Sequence, residues 1–322
     1  MSIIEKLLGL ALGISILIIG WLGWELKTAN TLNQKAEGMT DKAEVFEFLS
    51  QRIFVENPND VFVGMMPLRE AINTWIGGKK NKISLYFEYL PSGTSIGVNE
   101  KEEYQLASLF KLPVVMATVL RIERREEKKD RELILSSEVM DKNFGDWWKK
   151  ETGTIVTVQE AITAAIIDSD NTAYNLLLKS LPDGYLVGML RDFDISVEQT
   201  SLGYYPVGSA KGYASLFRGL YLSTLLSKKG SNDLLTLLTQ TKFGDRLPAG
   251  VDGEVKVAHK YGEFQIDDPD KIVYSDCGIV YVPKRPYILC IMTQGSKDET
   301  REQTKYLSKM VYQYVLKVNL QE

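Results

Sequence analysis

Where strand patterns fall along the 322 residues constrains the fold more than any other feature. Ile83–Leu90 (ISLYFEYL) has the β-branched and aromatic content of a strand, Pro91-Ser92-Gly93 turns it, and Ser95–Val98 returns. The next strand patterns come only near the far end, at Val255–His259, Tyr274–Val282 and Tyr287–Thr293, before a last helix over Asp298–Lys317. Helical spacing fills the interval: Leu109–Arg125, Val158–Ile167, Thr172–Leu181, Ala210–Ser227 and Leu234–Gln240. A further helix opens at Pro67, with Leu68, Ile72 and Trp75 on one face, and closes at Gly77-Gly78. The sheet must therefore unite segments from both ends of the domain. That predicts an α/β sandwich with one mainly helical subdomain.

The chain opens on an apolar stretch from Ile3 to Trp24, broken by Glu5, Lys6 and Ser15. Its uninterrupted part, Leu7–Leu22, approaches the roughly 20 residues needed to cross a bilayer, and Trp21 and Trp24 sit at its outer end. No small-x-small cleavage site follows, so residues 1–26 are read as a retained transmembrane signal anchor. This places the remainder outside the cell membrane. Residues 27–65 are read as a spacer with a short helix over 41–54, and residues 66–322 as the working domain. The charged run Arg121–Arg131 is expected to be a solvated helix end and loop.

Composition removes several functions. A net charge of −4 gives no basic face for a nucleic acid. One histidine, His259, and two cysteines cannot assemble a zinc site with several imidazoles, and a Ser-His-Asp relay would have to use that one residue. Chemistry here falls to Lys, Ser and carboxylates; no metal or cofactor is expected.

Three short motifs carry that chemistry. Ser108-Leu109-Phe110-Lys111 is an S-x-x-K at a helix start, where one turn puts the lysine on the serine's face. A lysine acts as a base there only if its surroundings depress its pKa. Ser169-Asp170-Asn171 lies in a break between helices, and Lys260-Tyr261-Gly262 ends a strand. Each has an ordinary reading by itself: a capping serine with a surface lysine, a helix cap, an edge-strand lysine before a turn.

Together, and in this order, S-x-x-K, S-D-N and K-x-G resemble the signature of the class A serine β-lactamase and penicillin-binding protein (DD-peptidase) superfamily, the class A branch above all. The likeness extends to TVQEAITAAIIDSDNTAYNLLL, KGYASLFRGLY and FGDRLPAGVDGEVKVAHKYG around the motifs. It implies the β-lactamase/transpeptidase-like sandwich, an antiparallel sheet with a helical subdomain, and roles at matching positions. Ser108 would be the acylated nucleophile and Lys111 its proton acceptor. Ser169 would relay a proton to the leaving nitrogen, and Asn171 would hold the substrate amide. Lys260 would meet the substrate carboxylate, and the backbone N–H groups of Ser108 and Glu263 would form the oxyanion hole. The implied partner is a β-lactam or a peptidoglycan stem peptide, handled by a monomer. A non-catalytic, ligand-binding envelope protein is the alternative, opposed by the survival of all five polar motif residues.

Two departures stand out. Tyr261 replaces the hydroxyl residue usual between Lys260 and Gly262, so carboxylate recognition is altered or the phenol substitutes. The family's deacylating loop Glu is missing: residues 195–209 read as a short loop whose one acid, Glu198, comes early, with Tyr204 and Tyr205 nearer the place. Slow deacylation is the expectation. Cys277 and Cys290 are symmetric about the turn Val282–Arg285 and can lie opposite each other; two reduced, buried cysteines are the preferred reading. His259 is expected to be structural.

Overall fold

The computed structural model describes residues 65–200, 203–266 and 271–317. The anchor expected over 1–26 and the helix expected over 41–54 lie outside these residues. Among the described residues no helix is long and apolar enough to cross a membrane.

A five-stranded antiparallel sheet joins both ends of the domain. Its strands are β1 (Lys82–Tyr89), β2 (Thr94–Val98), β8 (Val257–Gln265), β9 (Ile272–Val280) and β10 (Tyr287–Gly295), in the order β2-β1-β10-β9-β8. β1 pairs with β10 from Lys82↔Gln294 to Tyr89↔Tyr287, which closes the sheet across the sequence. β9 is buried at every position and β10 at all but one. Such unbroken burial arises because helices cover both faces, leaving no solvated side to demand polar alternation.

Helix α1 (Met66–Gly77) and the last helix, α8 (Lys297–Lys317), cover one face. Leu68, Ile72 and Ile76 meet Leu307, Val311 and Val315 over Leu85, Phe87 and Ile291 of the sheet. Asp298 and Glu299 in the first turn of α8 and Lys317 in its last complement the helix dipole. The opposite face packs on α2 (Lys111–Glu123), α3 (Val158–Thr163), α4 (Asn171–Ser180), α5 (Tyr185–Asp192), α6 (Ala210–Tyr221) and α7 (Lys228–Leu238). Val114, Leu112, Ile166, Leu177, Tyr213, Phe217 and Leu235 make up much of that second core. Glu88 of β1, with its side chain 6% exposed, accepts from Arg218 Nε at 2.7 and 2.9 Å and so ties α6 to the sheet.

Small strands complete the helical part: β3 (Glu103–Gln105), β4 (Glu132–Ile134), β5 (Ile155–Thr157), β6 (Ile195–Thr200) and β7 (Gly203–Ser209). Three expectations are corrected here. Residues 195–200 and 203–209 pair as two antiparallel strands, β6 on β7, with β7 also paired to β3 just before Ser108. The segment matched to the family's loop makes a strand because β3 supplies a ladder to pair with. The run Arg121–Arg131 is not wholly solvated: Glu127 is buried, bound by Arg131 Nε and a second guanidinium nitrogen, both at 2.6 Å, and faces Arg121 at 3.6 Å. Two cations make that burial tolerable. Cys277 and Cys290, exact register partners on β9 and β10 and both fully buried, are joined in a disulfide and not reduced. The hairpin brings them face to face as its symmetry suggests.

Candidate active site

The polar cluster sits where the helical part meets β8. A tight 3-10 turn, Ala107–Phe110, carries Ser108 and runs directly into α2, whose first residue is Lys111. Ser108 thus lies one turn ahead of the α-helix. Ala107, just before it, holds φ at 46°, a left-handed conformation that costs a non-glycine residue about 1–3 kcal/mol. Gly262 of β8 passes so close to this turn that a Cβ there would lie 2.5 Å from the Leu106 carbonyl oxygen. The glycine of the third motif is therefore a packing requirement. It lets the strand lie against the nucleophile turn.

Ser169 is placed by an equally specific local design. A capping box starts α3: the Thr157 hydroxyl accepts from the Glu160 N–H at 3.1 Å, and the Glu160 carboxylate accepts from the Thr157 N–H at 2.6 Å. The helix then widens into one π turn, Ala164–Asp168, and ends on Ser169 at φ 54°. Asp170 caps α4 through the Ala173 N–H at 2.9 Å. Its other oxygen takes the N–H groups of Asp146 and Trp147 at 2.7 and 2.8 Å. The capping explanation of S-D-N thus holds for its middle residue, and that capping frees the flanking two. Gly145, at φ +89°, has no room for a Cβ beside the same carboxylate.

Lys111 joins these parts. Its Nζ lies 2.7 Å from Ser108 Oγ, 2.7 Å from the Ser169 carbonyl oxygen, 2.6 Å from Asn171 Oδ1 and 3.2 Å from Ser169 Oγ. Burial pulls its pKa from 10.5 to about 7, against the opposing pull of Asp170 and Asp141. A neutral amine fits the geometry. Two N–H groups serve the carbonyl oxygens of Ser169 and Asn171, which can only accept, and the lone pair is left for the Ser108 hydroxyl proton. A base hydrogen-bonded to a serine is the arrangement that activates an alcohol as a nucleophile.

Lys260 is fully buried, so it is not the ordinary edge-strand lysine, although β8 is an edge strand. Its Nζ donates to Ser169 Oγ at 2.8 Å and to the Tyr261 carbonyl at 3.2 Å. Burial pushes its pKa down, the Lys111 and Arg246 charges push it further, and Asp276 pulls it back. Sequence reasoning missed Asp276 and Arg246. Asp276 is fully buried on β9, opposite Tyr261, and accepts from the Leu247 N–H at 2.8 Å and from His259 Nδ1 at 2.9 Å. The other ring nitrogen of His259 meets Thr241 Oγ1 at 2.6 Å, so the histidine clamps the segment before β8 onto the sheet. That segment carries Arg246, whose guanidinium lies 3.9 Å from the centre of the Tyr261 ring and whose Nε is buried without a hydrogen bond. Neither residue belongs to a short motif, and both act through partners distant in sequence.

The cleft edge is aromatic. Tyr261, nearly buried, packs at 4.2 Å from Phe243, and Phe144 lies 5.9 Å from Phe243 and 6.2 Å from Tyr261 between ring centres. Burial, the largest effect, raises the Tyr261 pKa, so the ring stays a neutral phenol. Such ring pairs add about 0.5–1.5 kcal/mol each. Of the expected site residues, Ser108, Lys111, Ser169, Asn171 and Lys260 converge. Tyr261 and Gly262 line the strand beside them, while the Glu263 side chain turns away to Lys297 at 2.7 Å.

Residues 67–315 match the model of the beta-lactamase enzyme family. The chain is 21% identical over 244 residues to beta-lactamase VEB-1 of Pseudomonas aeruginosa, covering 69% of this chain and 81% of that protein. In structure it is similar to PBP-A, with a TM-score of 0.71 at 23% identity over 79% of this chain and 97% of the other. It is also similar to a PBP-A variant held as its acyl-enzyme with penicillin G, with a TM-score of 0.70 at 22% identity, 79% and 97% covered. The likeness in structure concerns the fold; the family match rests on sequence across most of the chain. The chain belongs to the beta-lactamase enzyme family, with a domain of the class A β-lactamase and penicillin-binding type, a serine hydrolase at the level of the family.

Proposed function

We propose that this protein is an extracytoplasmic serine acyl-enzyme that opens β-lactams or cleaves D-Ala-D-Ala ends of peptidoglycan stem peptides through an acyl-Ser108 intermediate. The observation that carries the reading is Lys111, a buried amine pulled to about 7 and set 2.7 Å from Ser108 Oγ. In the first step Ser108 Oγ bonds to the substrate carbonyl carbon and its proton passes to Lys111. The carbonyl oxygen becomes an oxyanion facing the N–H groups of Ser108 and Glu263. The amide C–N bond then breaks, and the nitrogen takes the Ser169 hydroxyl proton, which the neighbouring lysines replace. Asn171 holds the substrate amide. Lys260, Arg246 and the Tyr261 phenol receive the substrate carboxylate.

Release of the acyl group is slow in this reading. Hydrolysis of the ester needs a base beside a water, and residues 195–209 supply one acid, Glu198, on β6 opposite Tyr205. The disulfide between Cys277 and Cys290 supports a location outside the reducing cytoplasm, as does the apolar stretch of residues 1–26 read as an anchor. Mass spectrometry of the intact full chain after mixing with penicillin G tests the reading. Wild type gains one penicilloyl mass and Ser108→Ala gains none. An unmodified wild type after hours would replace the enzyme with a ligand-binding relative of the same fold. Protease added to intact cells or spheroplasts tests the location: digestion of the domain supports it, full protection overturns it.

A further inference from the structure

The amine of Lys111 is met by polar groups of Ser108, Ser169 and Asn171. One further neighbour is of another kind. Tyr174 lies one turn beyond Asn171 on α4, so the two side chains share a helix face. The centre of its ring stands 5.8 Å from Lys111 Nζ. The ring is half-buried and packs against the second core. Burial raises its phenol to about 12, so it brings no charge to the amine.

Two opposed effects decide what this ring does to Lys111. A ring face attracts a cation within about 6 Å, and at 5.8 Å that attraction is near its far limit. The same ring fills space that water would otherwise take beside an amine only 2% exposed. Loss of hydration disfavours the charged form. The charged neighbours are divided: Asp170 and Asp141 favour the ammonium, and Lys260 opposes it. Desolvation outweighs them at Lys111, and Tyr174 is the aromatic, apolar group among these neighbours. Cutting the ring back would leave a space edged by the amine, Ser169 and Asn171. Room lined by polar atoms of that kind fills with water.

We propose that Tyr174 is a positioning residue of the acylation step: its ring walls the Lys111 amine off from water and so keeps it a free base for Ser108. The inference rests on the reading of Lys111 as the base. The role lies outside the three motifs, because it is filled from one turn past the second.

The test compares the full chain with Tyr174→Ala and with the conservative variant Tyr174→Phe. Acylation by penicillin G is followed by mass between about pH 6 and 10. In wild type the rate is expected to level off above about 7. Tyr174→Ala should move that midpoint upward by about one unit or more and recover toward the wild-type plateau at high pH. Tyr174→Phe should keep the wild-type profile. Tyr174→Asn, smaller and polar, carries the same expectation as the alanine variant if that one fails to fold. An unmoved midpoint in the truncated variants would overturn the proposal, and so would a lowered one, which would mark the ring as a cation partner. A second readout needs no acylation: the stability gap between each protein and its Lys111→Met derivative, from urea denaturation at pH 7 and 9. For a midpoint raised by one unit, the gap should close only about two-thirds as far as in wild type, or less. Equal closure in wild type and Tyr174→Ala would overturn the proposal. A wild type that never acylates, yet whose gap closure shrinks in Tyr174→Ala, would sink the catalytic reading and leave the shielding by Tyr174 standing.

Discussion

Replacing Lys111 with Met tests the central residue by two independent readouts. Met fills a similar volume without ionising, so the fold has no reason to change. Lowering the amine from 10.5 to about 7 corresponds, at about 1.4 kcal/mol per tenfold, to on the order of 5 kcal/mol spent keeping it buried. Its hydrogen bonds to Ser108, Ser169 and Asn171 return about 1 kcal/mol each. The variant should therefore be more stable than wild type at pH 7, by about 1–3 kcal/mol. The pH dependence has a definite sign. The folded pKa lies below the unfolded one, so between pH 7 and 10.5 the unfolded chain binds more protons and wild-type stability rises with pH. The full contribution of Lys111 is present above 10.5 and is lost as pH falls through about 7. Urea denaturation of both proteins should show the gap closing by about 2–3 kcal/mol between pH 7 and 9. Acylation by penicillin should slow by about 10²–10⁴-fold in the variant. In wild type it should rise with pH and level off above about 7, where the amine is already neutral. A gap that stays flat from pH 7 to 9, or an unchanged acylation rate, would refute the neutral-base argument.

Other expectations follow from the same geometry. Stopped-flow kinetics with a chromogenic cephalosporin should show a burst of one product per enzyme and then a slow steady state, since the water-activating step lacks its usual base, worth roughly 10²–10⁴; a fast steady state without a burst would direct attention to Glu198→Gln. Gly262→Ala should destabilise the fold by about 1–3 kcal/mol through the clash with Leu106, measured by thermal melting, and should lower acylation as well; an unaffected melting temperature would mean that the strand can move off the turn. Asp276→Asn should raise KM for carboxylate-bearing substrates well above its effect on kcat, because it loosens the Leu247 segment that holds Arg246 over Tyr261; a proportionate loss of both, matched by a fall in melting temperature, would mark Asp276 as structural only.

The sequence by itself determined the architecture and the core of the site. Strand patterns at both ends with helices between demanded a sheet closed across the chain, and β1 on β10 is that closure. Ser108 and Lys111, one turn apart, and the order of the three motifs identified the residues that converge, because the spacing within each motif is local geometry. Tertiary contacts decided the rest. Residues 195–209 read as a loop until β3 offered a pairing edge, for a strand is stabilised by its neighbour as much as by its own residues. Two cysteines equidistant from a turn could have stayed reduced; strand register set them opposite one another and joined them. The depressed pKa of Lys111 is likewise absent from S-x-x-K. It arises from burial among Ser169, Asn171 and Lys260, residues far along the chain, since desolvation is a property of packed surroundings and no neighbour in sequence can supply it.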